Sequence, residues 1–136
     1  MAIWQIDFSV IDKNKKNNDE DICYWNKEPI DADVVTFLKK EESWSKDIIQ
    51  FGNLESTCIE LLLEDSRVVE VSIRLDLKTL NKTLLSDVIN YIKRIDANIY
   101  YNDEIIIPSY ENFCNIIMVS DAYKFCTDPG LFFDDL

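Results

Sequence analysis

Histidine is absent from this chain of 136 residues. Its absence excludes Ser-His-Asp and Cys-His catalysis, histidine-ligated zinc and an imidazole proton shuttle near neutral pH. Glycine occurs only at Gly52 and Gly130, so no G-x-x-x-x-G-K or G-x-G-x-x-G loop can be written, and nucleotide enzymes built on such loops are excluded with it. The cysteines Cys23, Cys58, Cys114 and Cys126 form no C-x-x-C pair and no dense framework, which favours reduced thiols in a cytosol. Apolar runs such as Ile105-Ile106-Ile107 and Ile116-Ile117-Met118-Val119 fall far short of the roughly 18 to 20 residues that cross a bilayer. The start, Met1-Ala2-Ile3-Trp4-Gln5-Ile6-Asp7, lacks the basic and apolar regions of a signal peptide. A soluble, cytoplasmic protein with no membrane association is expected.

Positive charge is also scarce: 14 Lys and Arg stand against 26 Asp and Glu, a net charge of −12. Such a surface repels a phosphate backbone, so no direct nucleic-acid partner is expected. It attracts basic protein surfaces and speeds their encounter; surplus carboxylates also serve solubility alone. With 47% apolar and 12% aromatic residues the chain can still bury a core, and one domain over residues 1–136 is expected.

Residues 3–11 alternate, with Trp4, Ile6, Phe8 and Val10 on one face and Gln5, Asp7 and Ser9 on the other, as in a half-buried strand. Residues 12–21 are polar, and Ile22-Cys23-Tyr24-Trp25 is expected to return as a second strand across a long loop. Asp31 is placed to cap a helix that carries Val34, Val35, Phe37, Leu38 and Trp44, ends near Ser43, and exposes Asp33, Lys39, Lys40, Glu41 and Glu42. Strands are expected at about 46–51, 56–64 and 67–77. With Asp65-Ser66-Arg67 as the loop and Glu64 opposite Val68, Thr57, Ile59, Leu61 and Leu63 face Leu75, Ile73, Val71 and Val69 on one apolar side. The other side carries Cys58, Glu60, Leu62 and Glu64 beside Glu70, Ser72, Arg74 and Asp76.

Leu84, Leu85, Val88, Ile89, Ile92 and Ile95 recur at helical spacing over about 83–97, with Thr83 as N-cap. Ile99-Tyr100-Tyr101 and Glu104-Ile105-Ile106-Ile107 flank an Asn102-Asp103 turn and form a short hairpin that Pro108 ends. A second amphipathic helix starts at Ser109, buries Tyr110, Phe113, Cys114, Ile117 and Tyr123 or Phe125, and stops before Pro129-Gly130. Leu131-Phe132-Phe133 is an apolar tail that must dock on the body or on another chain. The expected fold is α+β: a largely antiparallel sheet of five to seven strands with two or three helices packed mainly on one face.

The acidic hairpin face is the candidate surface: Glu60, Glu64, Glu70, Arg74 and Asp76, with Trp44 as an exposed aromatic anchor. Roughly 7,000 Å² of surface and about 800 Å² per interface would put about three of 26 evenly spread acids in one patch, so this face is modestly enriched. For both Trp25 and Trp44 a buried core role is the favoured reading, ahead of that of an exposed anchor. Carboxylate chemistry on Glu60, Glu70 and Asp76, whether metal-bound or hydrolytic, is the third reading; no Ca²⁺-loop motif accompanies it and Arg74 competes for the same acids. No cofactor is expected, and no catalytic residue is assigned.

Val71-Ser72-Ile73-Arg74-Leu75-Asp76-Leu77 leading into a helix, and Ser120-Asp121-Ala122-Tyr123-Lys124-Phe125 followed by Asp128-Pro129, resemble small acidic immunity proteins of bacterial polymorphic or contact-dependent toxin systems. The resemblance covers roughly residues 44–133. It implies a non-enzymatic protein that binds a cognate basic toxin, often a nuclease, and covers its substrate-binding surface. The alternative expectation is an acidic adaptor or oligomeric assembly subunit without catalytic activity; the oligomeric state is left open.

Overall fold

Ile6, Phe8 and Val10 alternate with Asp7 and Ser9 along β1 (Gln5–Asp12), and all three point into the core. The computed structural model describes residues 3–25 and 35–127. Around β1 are built β2 (Lys40–Glu41), β3 (Ile48–Gly52), β4 (Cys58–Glu64), β5 (Arg67–Asp76), β6 (Ala97–Tyr101) and β7 (Glu104–Ile106). They form one antiparallel sheet in the order β2-β3-β4-β5-β1-β6-β7. Three helices complete the described fold: α1 (Lys82–Arg94), α2 (Tyr110–Val119) and α3 (Asp121–Thr127). This is an α+β architecture.

Residues directly opposed across antiparallel strands share a face, so the pairs Phe51↔Ile59↔Ile73↔Phe8 and Leu61↔Val71↔Val10↔Ile99 make two apolar rows. Leu85, Val88, Ile89 and Ile92 of α1, Phe113 and Ile116 of α2 and Ala122 of α3 pack into the same core as these rows. Phe113 meets Phe8 edge to face at 5.4 Å between ring centroids. Burying each such side chain is worth about 1.5–3 kcal/mol, and that gain holds the helices to one side of the sheet. The opposite face is left to other contacts.

The β4–β5 hairpin keeps the expected register from Cys58↔Arg74 through Leu62↔Glu70. Nearer the turn it slips by one: Leu63 pairs with Val68 instead of Val69, and Glu64 with Arg67. The loop is two residues, Asp65 and Ser66, both at positive φ (52° and 64°), a conformation whose twist suits a hairpin. The bulge frees the carbonyl of Val69, which accepts the Trp25 N–H at 2.6 Å.

That bond replaces the expected strand at 22–25, which does not form. Both sides of β1 are already paired, with β5 and with β6, so a returning strand has no edge to join. The segment instead turns inward and buries Trp25 in the core. The expected helix ending near Ser43 is also overturned over residues 35–43. Lys40 and Glu41 pair with Phe51 and Gln50, and the Lys39 carbonyl accepts from Gly52 N at 2.8 Å. Backbone committed to β3 cannot close helical bonds, and Phe37, in the bend before β2, packs edge to face on Tyr91 of α1. Asp31, Asp33 and Val34 lie outside the described residues, as do Pro129, Gly130 and the tail Leu131-Phe132-Phe133.

Asn81, not Thr83, caps α1, its Oδ1 accepting from Leu84 N at 2.8 Å. Ser109 caps α2 as expected, with Asn112 N at 3.1 Å. The single C-terminal helix is broken in two at Ser120, whose hydroxyl donates to the Ile117 carbonyl at 2.6 Å and accepts from Tyr123 N at 3.1 Å. One side chain thereby closes α2 and opens α3. Tyr110, expected inside, is exposed, and Ile116 takes the buried position beside Phe113. The side chain of Phe125 is outside the description. Asn102 and Asp103 form the turn between β6 and β7, both at positive φ. No helix among the described residues is long and apolar enough to cross a membrane.

Candidate functional site

The side of the sheet away from the helices carries Glu41 of β2, Gln50 of β3, Glu60, Leu62 and Glu64 of β4, and Glu70, Ser72 and Arg74 of β5. Glu41↔Gln50, Gln50↔Glu60 and Glu60↔Ser72 are successive opposed pairs, so one polar row runs across four strands. Among the described residues neither Glu60 nor Glu70 has an ion-pair partner. Glu64 stands opposite Arg67 at the hairpin tip.

Arg74 belongs to the same face but is spent on the fold. Its Nε donates to Asp7 Oδ1 at 2.8 Å and its Nη2 to Asp7 Oδ2 at 3.1 Å, a forked pair joining β5 to β1. Its Nη1 donates to the Leu54 carbonyl at 2.8 Å, and Gln5 Nε2 donates to the same carbonyl at 3.3 Å. Above all the Asp7 bond raises the guanidinium pKa further. The loop between β3 and β4 is thus tied down onto the sheet.

Asp76 leaves the surface altogether. It is 4% exposed, and its carboxylate accepts from Lys78 N and Thr79 Oγ1, both at 3.0 Å, which fixes the turn from β5 into α1. Its own N–H donates to Thr57 Oγ1 at 3.0 Å. Of the six candidate residues the structure therefore keeps Glu60, Glu64, Glu70 and Trp44 at the surface and gives Arg74 and Asp76 to internal bonding.

Trp44 is 74% exposed. It sits between Ser43 and Ser45, where the Ser43 hydroxyl donates to the Ser45 carbonyl and, at 2.7 Å, to the Ile48 carbonyl. A further bond, from Asp47 N to Ser45 Oγ at 3.2 Å, tightens the turn. These bonds fix the backbone and present the indole outward. Beside it opens a groove of about 610 Å³ lined by Glu41, Glu42, Ser43, Trp44, Gln50, Asn53, Leu54 and Glu55. One wall is the turn after β2, the other is the Asn53–Glu55 turn held by Arg74 and Gln5, and Gln50 lies between them.

Gln50, Glu41, Glu42 and Glu55 were not singled out by sequence. The available signal was the adjacency of Glu41-Glu42 to Trp44, which reads as the solvated face of a helix when residues 35–43 are taken as helical. Gln50 is 6% exposed and donates from Nε2 to the Gly52 carbonyl at 2.8 Å. Its carbonyl oxygen has no hydrogen-bond donor among the described residues.

Cys58, behind Glu60 on β4, is buried, and burial reinforced by the negative charge of Glu60 pushes its thiol up to about 11, against the opposing pull of Arg74. Such a thiol is a small hydrophobe at neutral pH. Among the described residues no three Cys, Asp or Glu converge as metal ligands. A second groove, about 330 Å³, lies between β7 and α2 and is lined by Tyr101, Ile106, Asn112, Ile116 and Val119 among others. Compared with protein-family models, with curated proteins and with solved structures, the chain matches none.

Proposed function

We propose that the protein is a non-enzymatic inhibitor that binds a basic protein, in the manner of an immunity protein, and covers the surface with which that protein would engage its own substrate. The observation that carries this reading is the face of the sheet turned away from the described helices, where Glu41, Glu60 and Glu70 project while Arg74, the cation among them, is already held by Asp7. On a molecule of net charge −12, that face draws a cationic surface by long-range attraction and offers carboxylates in place of phosphates. Exposed Trp44 at its edge supplies the kind of anchor that dominates interface energetics. The bacterial cytoplasm is the setting this reading assigns. Co-expression with the product of the neighbouring gene tests it. A basic, growth-arresting product that is held in a stoichiometric complex, weakened as salt rises from about 50 to about 500 mM and the Debye length shortens from about 14 to about 4 Å, supports the reading; a product that is harmless or does not bind counts against it.

The second reading, an adaptor or assembly subunit, draws on the exposed apolar side chains of Ile107, Tyr110, Met118 and Val119 along α2 and its approach. A constitutive oligomer by size-exclusion mass, lost on deleting residues 130–136, would favour it over the inhibitor.

A further inference from the structure

We propose that the groove beside Trp44 seats an arginine side chain of the basic partner, a proposal that rests on the reading above that such a partner exists. Three independent features of the groove converge on a planar cation. The first is the indole of Trp44, which is 74% exposed and is carried on a turn tied by the Ser43 and Ser45 hydroxyls. An aromatic face in this setting attracts a guanidinium by cation–π contact and by stacking.

The second feature is Gln50. It is more than nine-tenths buried, its Nε2 is engaged with Gly52 O at 2.8 Å, and it lines the groove. That arrangement fixes the amide orientation and leaves the carbonyl oxygen, which has no protein donor among the described residues and is not sealed from water, as an acceptor. A ligand N–H satisfies it, and an incoming carboxylate or phosphate cannot. The third is the ionisable lining, which among the described residues is Glu41, Glu42 and Glu55 with no lysine or arginine. Lys40, although next in sequence, pairs with Phe51 and so belongs to the helix-bearing face.

Arginine fits this set better than lysine. Its guanidinium can stack on Trp44 while its several N–H groups, fixed in one plane, reach both an amide oxygen and a carboxylate; an ammonium offers a point charge and no plane. Glu60 stands directly opposite Gln50 on the same face, so the groove adjoins the acidic row. Arg74 is a positioning residue for this site, because its bond to Leu54 O holds the wall that carries Glu55.

The test is calorimetric titration of the full chain with hexa-arginine and with hexalysine peptides at one fixed ionic strength. Hexa-arginine is expected to bind roughly tenfold more tightly than hexalysine. Trp44→Ala, a change at an exposed position, should abolish the difference, whereas Glu64→Gln and Glu70→Gln should weaken both peptides alike. Equal affinities for the two peptides, or an arginine preference that survives Trp44→Ala, overturns the proposal. The two readings fail separately. If the neighbouring gene product binds and Trp44→Ala leaves that binding untouched, the arginine seat is wrong and the basic-partner reading stands. If Trp44-dependent arginine preference is found and no basic product binds the chain, the seat stands and the reading falls.

Discussion

Replacing Arg74 by Met separates a latch from a docking residue. The substitution keeps the aliphatic stem against the sheet and removes three donors: two to Asp7 at 2.8 and 3.1 Å and one to the Leu54 carbonyl at 2.8 Å. Side-chain exposure is 21% for Arg74 and 44% for Asp7, so water screens part of the pair and the forked contact is worth about 1–1.5 kcal/mol. The bond to Leu54 O, from a charged donor, adds about 1 kcal/mol. The expected loss is therefore about 2–2.5 kcal/mol, which for a chain of this length lowers Tm by roughly 8 °C. Urea and thermal unfolding followed by circular dichroism measure it, and a cycle with Asp7→Asn should return a coupling of about 1 kcal/mol. Arg74→Lys retains charge without the fork and should recover less than half of the loss. If Arg74→Met leaves the midpoint within about 0.5 kcal/mol of the parent while weakening partner binding, the latch argument is refuted and Arg74 is a contact residue.

Two further outcomes follow from the same geometry. Gly52 lies at φ +83°, and a Cβ there would come within 2.3 Å of the Thr57 carbonyl, so Gly52→Ala should cost about 2–4 kcal/mol by combining left-handed strain with a backbone clash; a variant that unfolds at the parent's urea concentration would disprove this. Cys58 is held as a thiol up to about 11 in the folded protein against an ordinary 9.0. Between those values the unfolded chain binds fewer protons than the folded one, so this residue's contribution is fully present below pH 9 and is lost as pH rises towards 11. Cys58→Val should flatten the fall in urea midpoint over that window, and identical pH profiles for the two proteins would contradict the assignment.

How far the candidate site could be read in advance depended on whether a residue's role is set locally. The acids of β4 and β5 were legible because strand alternation assigns each to a face, and the register from Cys58 to Leu62 follows from matching apolar residues. Arg74 and Asp76 lie on the same alternation, yet Arg74 is held by Asp7, 67 residues away, and by Leu54, while Asp76 is held by Lys78 N and Thr79 just after it, a local turn that strand alternation alone does not register. For Arg74, nothing in the local pattern marks the charge as already engaged. The groove was missed for a related reason: the segment holding Glu41 and Glu42 has helical spacing of apolar residues, and only competition from β3 for its backbone bonds makes it extended.

Composition alone excluded some chemistry for this chain: without histidine and with two glycines, histidine-dependent catalysis and glycine-rich phosphate loops cannot be built from its residues whatever the fold. Periodicity likewise determined most strands, α1 and the apolar side of the sheet, since burial rewards one face at a time. The tertiary structure decided what depends on neighbours. Occupied edges of β1 denied residues 22–25 a strand, a bulge at Val69 supplied the carbonyl that anchors Trp25, and a turn tied by serine hydroxyls turned Trp44 to solvent. Hydrogen bonds must be shared among segments that meet only on folding, so no single stretch of sequence contains the answer.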